Sequence, residues 1–227
     1  METTLAIETS SPEASIALWS DGACLFEAEF LSDRSHNCMV FEPLAAALRA
    51  LGQRDLSYVV VGTGPGSYSG TRIGIAAAQG VAIARSCPVA GLGSLAATPA
   101  ARCKTASSAV TAIGDARRGL YYLSNINTSG EATEPELMDA EELNRRLADS
   151  TDHDLFTLDD PAKLELNQDV QQRIKCSHPQ ARLLLELWLD LDSSRRQELL
   201  ARPLAPTYLR APFTSKAKPG HPLLRKG

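Results

Sequence analysis

Apolar positions fall into short runs over the first thirty residues. Residues 4–8 (TLAIE) and 14–19 (ASIALW) are brief apolar stretches, and 24–30 (CLFEAEF) alternates. Turn formers Ser10-Ser11-Pro12 and Asp21-Gly22 separate them, which predicts three strands in a meander with Glu8, Thr9, Ser10 and Ser11 in the first tight turn. Residues 36–51 then read as a helix with Ser35 as N-cap. Its apolar positions (Met39, Val40, Phe41, Leu44, Ala45, Ala47, Leu48, Leu51) cover more than one stripe. Such a helix is buried on two sides, either by the same chain or with another chain over one side. Pro43 either kinks it or marks its true start.

Residues 57–62 (SYVVVG) form a continuous β-branched run, as in a central strand. The run enters GTGPGSYSGTRIG and then a helix over 71–85 rich in small residues (Ala76, Ala77, Ala78, Gly80, Ala82, Ala84), which allow another helix to approach closely. A strand at 89–92 and an Ala-rich helix at 94–101 follow. A second half begins near Lys104, with strands at 109–113, 120–127 and 133–138, a turn over 114–119, a helix at 140–148 and a long helix from Pro179 to about Leu200. Beyond Arg202 the chain holds five prolines and is expected to be extended and exposed. The pattern predicts two similar α/β halves, 1–103 and 104–227, with a C-terminal helix able to pack back on the first. No repeat is visible in the sequence itself.

Composition narrows the function classes. The 227 residues are 44% hydrophobic and 22% charged, which is ordinary for a globular chain. No apolar run reaches the roughly 20 residues of a membrane span, and the N-terminus lacks the basic flank of a signal peptide, so a cytoplasmic location is expected. Five scattered cysteines form no C-x-x-C pair and four scattered histidines no ligand spacing, so neither a disulfide framework nor a metal site is expected. A net charge of −4 argues against a free-standing nucleic-acid binder. Residues 131–160 nevertheless hold eleven acids against Arg145 and Arg146, and residues 207–227 hold Arg210, Lys216, Lys218, Arg225 and Lys226 with no acid. The basic tail is either a soluble tail or a contact for RNA or an acidic partner.

The glycines Gly62, Gly64, Gly66, Gly70 and Gly74 lie between a strand and a helix, where backbone N–H groups and the helix dipole could hold a phosphate, with Ser67, Ser69 and Thr71 as further donors. No Gly-Lys-Ser/Thr follows, so this is not a Walker A loop. The spacing reads G-x-G-x-x-S, and no acid lies about 20 residues on, so it is not a dinucleotide fingerprint either. The other explanation is tight packing, with Ser69 capping the helix. Glu8 follows the first strand and Asp115 lies in the corresponding turn of the second half. Facing each other across a cleft, they would suit Mg²⁺-nucleotide chemistry; as lone acids they would serve as turn residues.

AIETS at the start, GPGSYSGTRIG, AIGDARRGLYY and PTYLR, in that order over nearly the whole chain, resemble the bacterial TsaB (YeaZ) proteins. The resemblance implies an actin/Hsp70-like (ASKHA) α/β fold with two ribonuclease-H-like subdomains. It also implies a role in forming threonylcarbamoyladenosine beside the anticodon of tRNAs that read codons starting with A. The chain would be a non-catalytic partner of the TsaD-type transferase, with a TsaE-type ATPase in the larger complex, tRNA met through the complex, and a homodimer when alone. Where the catalytic relatives carry two metal-binding histidines, GLGSLAAT has Ser94 and Thr98, poor ligands for iron or zinc. Where most relatives have Asp-Thr, this chain has Glu8-Thr9, and an extra methylene of about 1.5 Å upsets a geometry-sensitive Mg²⁺ site.

The expected nucleotide contacts are therefore Glu8, Thr9, Ser10, Gly64, Gly66, Ser67, Asp115 and Arg117, for ATP or ADP with Mg²⁺ at or near the partner interface. The resemblance places subunit pairing on the helices at 36–51 and 71–85, with Met39, Val40, Leu44, Arg72, Ile75, Ala78 and Ala82 as expected contacts. The alternative function is an actin-like small-molecule kinase or ATPase working through Glu8, Asp115 and the glycine loop. A glycoprotein-type peptidase would need the missing histidines.

Overall fold

A computed structural model describes residues 2–31, 37–103, 110–127, 130–149 and 153–210. The chain opens with the meander β1 (Thr3–Glu8), β2 (Glu13–Ser20) and β3 (Ala23–Leu31). A short 3-10 turn over Asn37–Val40 leads into α1 (Phe41–Leu51), followed by β4 (Tyr58–Gly62), α2 (Tyr68–Arg85) and β5 (Val89–Leu92). Pro43 sits in the first turn of α1, where its missing N–H has no intrahelical partner to lose. α2 starts at Tyr68, earlier than expected, because Ser67 and not Ser69 is its cap: the Ser67 hydroxyl accepts from the Gly70 N–H. A 3-10 turn over Ser94–Ala97 and α3 (Pro99–Arg102) replace the single helix expected over 94–101, broken before Pro99 with Thr98 as the new cap.

The second half repeats the order: β6 (Val110–Asp115), β7 (Tyr121–Ile126), β8 (Glu136–Met138), α4 (Ala140–Asp149), β9 (Asp154–Thr157), α5 (Gln168–Arg173) and β10 (Ile174–Cys176). The first sheet is ordered β3-β2-β1-β4-β5 and the second β10-β9-β6-β7-β8, which is the same order read from the other edge. In each, the first strand is antiparallel to the second and parallel to the fourth: Ile7 lies opposite Ile16 and Val61, and Ile113 opposite Leu123 and Thr157. Two such halves make this an actin/Hsp70-like α/β fold with two ribonuclease-H-like subdomains.

Side-chain size decides what covers each sheet face. Successive residues of a strand point to opposite faces. Leu5, Ile7, Ile16, Leu18, Val59 and Val61 pack under α1 and α2. On the reverse face Ala6, Ala17, Val60 and Ala90 leave room for α6 (Ala181–Asp190), which inserts Leu184, Leu185 and the fully buried Trp188. The expected helix from Pro179 to Leu200 is thus two helices. α6 ends before Leu191, and Asp192 caps α7 (Ser193–Ala201) by accepting from the Arg195 N–H. In the second half Ile113, Leu123, Leu143, Leu147 and Val170 form a core under α4 and α5, while Val110, Ala112, Tyr122 and Phe156 meet Leu95 of the first half. Beyond α7 the chain runs without helix or strand to Arg210. Lys216, Lys218, Arg225 and Lys226 of the basic tail, and Ser35 and His36 at the expected helix start, lie outside the described residues.

Candidate functional site: an interlobe cleft and an apolar helix groove

The two halves meet at the exits of their first strands. Glu8 ends β1 and is 0% exposed; its Oε1 accepts from the Ser10 N–H at 2.7 Å. Burial pushes its carboxyl above the usual carboxylate range, against the pull of that hydrogen bond. Its other oxygen lies against Gly62, where an added Cβ would come within 1.9 Å of it and 2.7 Å of the Ser94 hydroxyl. Thr9 donates from Oγ1 to the Gly70 carbonyl at 2.8 Å, and a Cβ at Gly74 would come within 2.2 Å of that oxygen. The Ser67 N–H donates to the Ser10 carbonyl at 2.6 Å, and a Cβ at Gly66 would overlap that carbonyl at 2.1 Å.

Gly62, Gly66, Gly70 and Gly74 are therefore spent on seating the first tight turn against β4 and α2. This is the packing explanation of the loop. Gly64 is the one left-handed glycine of the five, at φ +86°, and its N–H donates to Ser94 Oγ.

What remains open is a cleft of about 420 Å³ between the halves. Ser10, Gly66, Ser67, Asp115 and Arg117 line it together, as expected from their turn positions. Glu8, Thr9 and Gly64 do not: they lie beneath it, buried and engaged with protein atoms. Asp115 accepts from the Arg117 N–H at 2.6 Å and pairs with its guanidinium at 3.0 Å, closing a turn in which Arg117 and Arg118 take left-handed φ of 69° and 58°. Further lining residues not among those expected are Asp159, whose carboxylate accepts from the Asp115 N–H, and Tyr208 and Arg210 of the PTYLR segment. Glu8 and Asp115 thus occupy equivalent strand ends without facing each other.

Ser94 and Thr98 are both 0% exposed, and Thr98 caps α3 by accepting from the Ala101 N–H. Among the described residues, no three His, Cys, Asp or Glu side chains converge as a metal site would require. Cys176 lies 3.4 Å from His178, but burial and neighbouring acids push its thiol pKa up, away from an activated thiolate. Among the described residues no helix is long and apolar enough to cross a membrane.

A second concave surface lies between α1 and α2, a groove of about 670 Å³ lined by Phe41, Leu48, Ile73, Ala76, Gly80 and Ala84, with Leu44, Ala77 and Val81 as its floor and Arg85 at its end. Phe41, which lines the groove, is 58% exposed; Met39 and Ile83, elsewhere on the same two segments, are 45% and 80% exposed. Of the expected interface residues, Val40, Ile75, Ala78 and Ala82 are 3, 6, 0 and 5% exposed and pack in the core against the first sheet. Leu44 is on the groove floor, and Met39 and Arg72 are exposed.

Residues 31–154 match the family model described as "TsaD: tRNA N6-adenosine threonylcarbamoyltransferase", which is more than half of the chain. The chain is 36% identical over 121 residues to the tRNA threonylcarbamoyladenosine biosynthesis protein TsaB of Escherichia coli, covering 52% of each. It is 34% identical over 122 residues to the TsaB protein of Bacillus subtilis, covering 53% of each. The matched part of the chain spans about half the length of these curated relatives. Among solved structures, YeaZ from Pseudomonas aeruginosa superposes with a TM-score of 0.69 at 25% identity, covering 92% of this chain and 100% of that one. A YeaZ-like protein described as similar to a peptidase superposes at 0.70 and 26%, with the same coverage. With its duplicated fold, its glycine loop seated on the first tight turn, and these matches, the chain belongs to the TsaD family and, within it, to the bacterial TsaB (YeaZ) proteins.

Proposed function

We propose that this chain serves tRNA threonylcarbamoyladenosine formation as a non-catalytic partner subunit that binds and supports a TsaD-type transferase. The observation that carries it is the α1/α2 groove. A large apolar concavity with an exposed Phe41 on its wall is costly to leave in water and typical of a docking face. Its small residues, Ala76, Gly80 and Ala84, allow a partner helix to approach closely. The names of the Escherichia coli and Bacillus subtilis relatives supply the process. The same face would pair two copies of this chain when the transferase is absent, and a TsaE-type ATPase and tRNA would join through the assembled complex.

The kinase or ATPase alternative needs carboxylates from both halves at one metal ion. Glu8 is sealed beneath the cleft and held by Ser10, which weighs against that chemistry. Asp115 and Asp159 stand in the second half alone.

The test is reconstitution with the transferase of the same organism, its activated threonylcarbamoyl donor and tRNA, with modified nucleoside read by chromatography. Full modification that requires this chain, and is lost with Ala76→Arg, is expected. Modification at an unchanged rate without the chain would refute the subunit role, and ATP turnover by the chain alone, abolished by Asp115→Asn, would support the enzyme instead.

A further inference from the structure

Residues 203–210 leave α7 and cross from the first half to the second over the mouth of the interlobe cleft. Leu204 packs on the first-half core, and Leu209 on the second-half core. Between them the Thr207 N–H donates to the Thr63 carbonyl at 2.7 Å. Tyr208 accepts from Arg72 Nε at 2.9 Å, with the Arg72 guanidinium 4.4 Å over the Tyr68 ring and the two tyrosine rings 5.6 Å apart. On the far side Arg210 donates to the Arg117 carbonyl at 2.9 Å.

This segment divides the space between the halves. On one side is the cleft of about 420 Å³, walled by residues 206–210. On the other is a cavity of about 400 Å³ walled by Pro203, Leu204 and Ala205, with Gly91, Gly93, Arg102 and Arg195 opposite. Thr207 lines both.

We propose that residues 203–210 are a strap that excludes a nucleoside diphosphate or triphosphate from the interlobe cleft, and that releasing the strap joins the two cavities into one nucleotide-sized site. The proposal rests on the expectation that the cleft suits a nucleotide. Its walls carry polar groups suited to a phosphate: hydroxyls on Ser10, Ser69 and Thr71, and the guanidinium of Arg117, which is paired with Asp115 at 3.0 Å, with Asp159 beside them. The volume of each cavity alone lies near the low end of small-molecule sites, which run from about 300 to 1,000 Å³.

The attachments of the strap suit a releasable element. They comprise few hydrogen bonds, and Pro203, Ala205, Thr207, Tyr208 and Arg210 are all exposed, so opening exposes little new apolar surface beyond Leu204 and Leu209. Arg72 also stands one helical turn before Ala76 on α2, so a partner covering that helix meets the clamp that holds Tyr208.

The experiment measures binding of a fluorescent ADP analogue with Mg²⁺ by anisotropy. Three proteins are compared: the full chain, a chain ending at Arg202, and the full-length double variant Thr207→Pro/Tyr208→Ala, which removes the donor to Thr63 and the ring clamped by Arg72. Circular dichroism and Tm confirm that each is folded, and the double variant decides if the shortened chain is not.

Affinity at least about tenfold tighter in the released proteins is expected, because a strap closed nine-tenths of the time lowers apparent affinity by that factor. Asp115→Asn placed in the released chain should weaken the gain. Equal binding by the full and released chains would overturn the strap while leaving the cleft a nucleotide site. No binding by any of them would overturn both.

Discussion

The helix pairs α1/α2 and α4/α5 occupy corresponding places on two sheets of the same order, yet they meet solvent differently. α1 and α2 leave Phe41, Leu48, Ile73, Ala76 and Gly80 around an apolar groove. α4 instead carries Glu141 and Glu142 in its first turn and ties Glu142 to Arg145 at 2.8 Å and Arg146 at 2.8 Å, with Arg146 reaching Glu136 at 2.7 Å. Those pairs hold the Glu142 carboxyl down to about 2. Topology therefore does not create the apolar face, because the second half shows that the same scaffold can present a charged one. The same contrast holds at the strand ends, where Glu8 is sealed and Asp115 is open to the cleft.

The largest expected effect comes from giving the first pair the charge the second already carries. Ala76→Arg places a cation in the groove, where docking would strip it of water. Titration with the transferase should show binding about a hundredfold weaker, or about 2.7 kcal/mol. The Tm of the variant alone should stay near that of the unmodified chain, because Ala76 is exposed. Unchanged affinity would move the interface elsewhere.

Next in size is Gly74→Ala. In a helix this exchange ordinarily stabilises by about 1 kcal/mol. Here the new methyl overlaps the Thr9 hydroxyl, which is buried and tied to Gly70, so a net loss of about 2 kcal/mol is expected from overpacking. A raised Tm would show that the glycine spacing is not a packing device.

Glu8→Gln sharpens the contrast between the two carboxylates. At pH below the ordinary carboxylate value Glu8 is protonated both folded and unfolded. As pH rises toward its raised folded value the unfolded chain ionises first, and stability is lost. The neutral amide removes that loss, so the Tm of the variant relative to the native chain should climb as pH rises above the ordinary carboxylate value. A difference that stays flat would mean that burial does not disfavour the ionised carboxylate.

The smallest effect is expected from Glu141→Lys on exposed α4. It should change stability by no more than about 0.5 kcal/mol and leave transferase binding intact, as measured by the same titration.

Much of the first half was legible because its signals are local. Tyr58 to Gly62 is β-branched and continuous, and β1 to β3 are separated by turn formers. The second half was harder. β9, α5 and β10 are four, six and three residues long, too short for a periodic pattern against their acidic surroundings. Ser10, Ser67, Asp115 and Arg117 could be placed at the cleft because strand exits put them there. Asp159, Tyr208 and Arg210 arrive through tertiary folding. The two faces of α2 were hard to tell apart for a related reason. A helix apolar on two sides carries no period that distinguishes the core stripe of Ile75, Ala78 and Ala82 from the groove stripe of Ile73, Ala76 and Gly80.

Light scattering on the purified chain, alone and mixed with the TsaD-type protein of the same organism, tests the central claim most directly. A homodimer that converts to a one-to-one complex, lost with Ala76→Arg and kept with Glu141→Lys, is the predicted result. A chain whose mass is unaffected by the transferase, or a complex that survives Ala76→Arg unchanged, would contradict it.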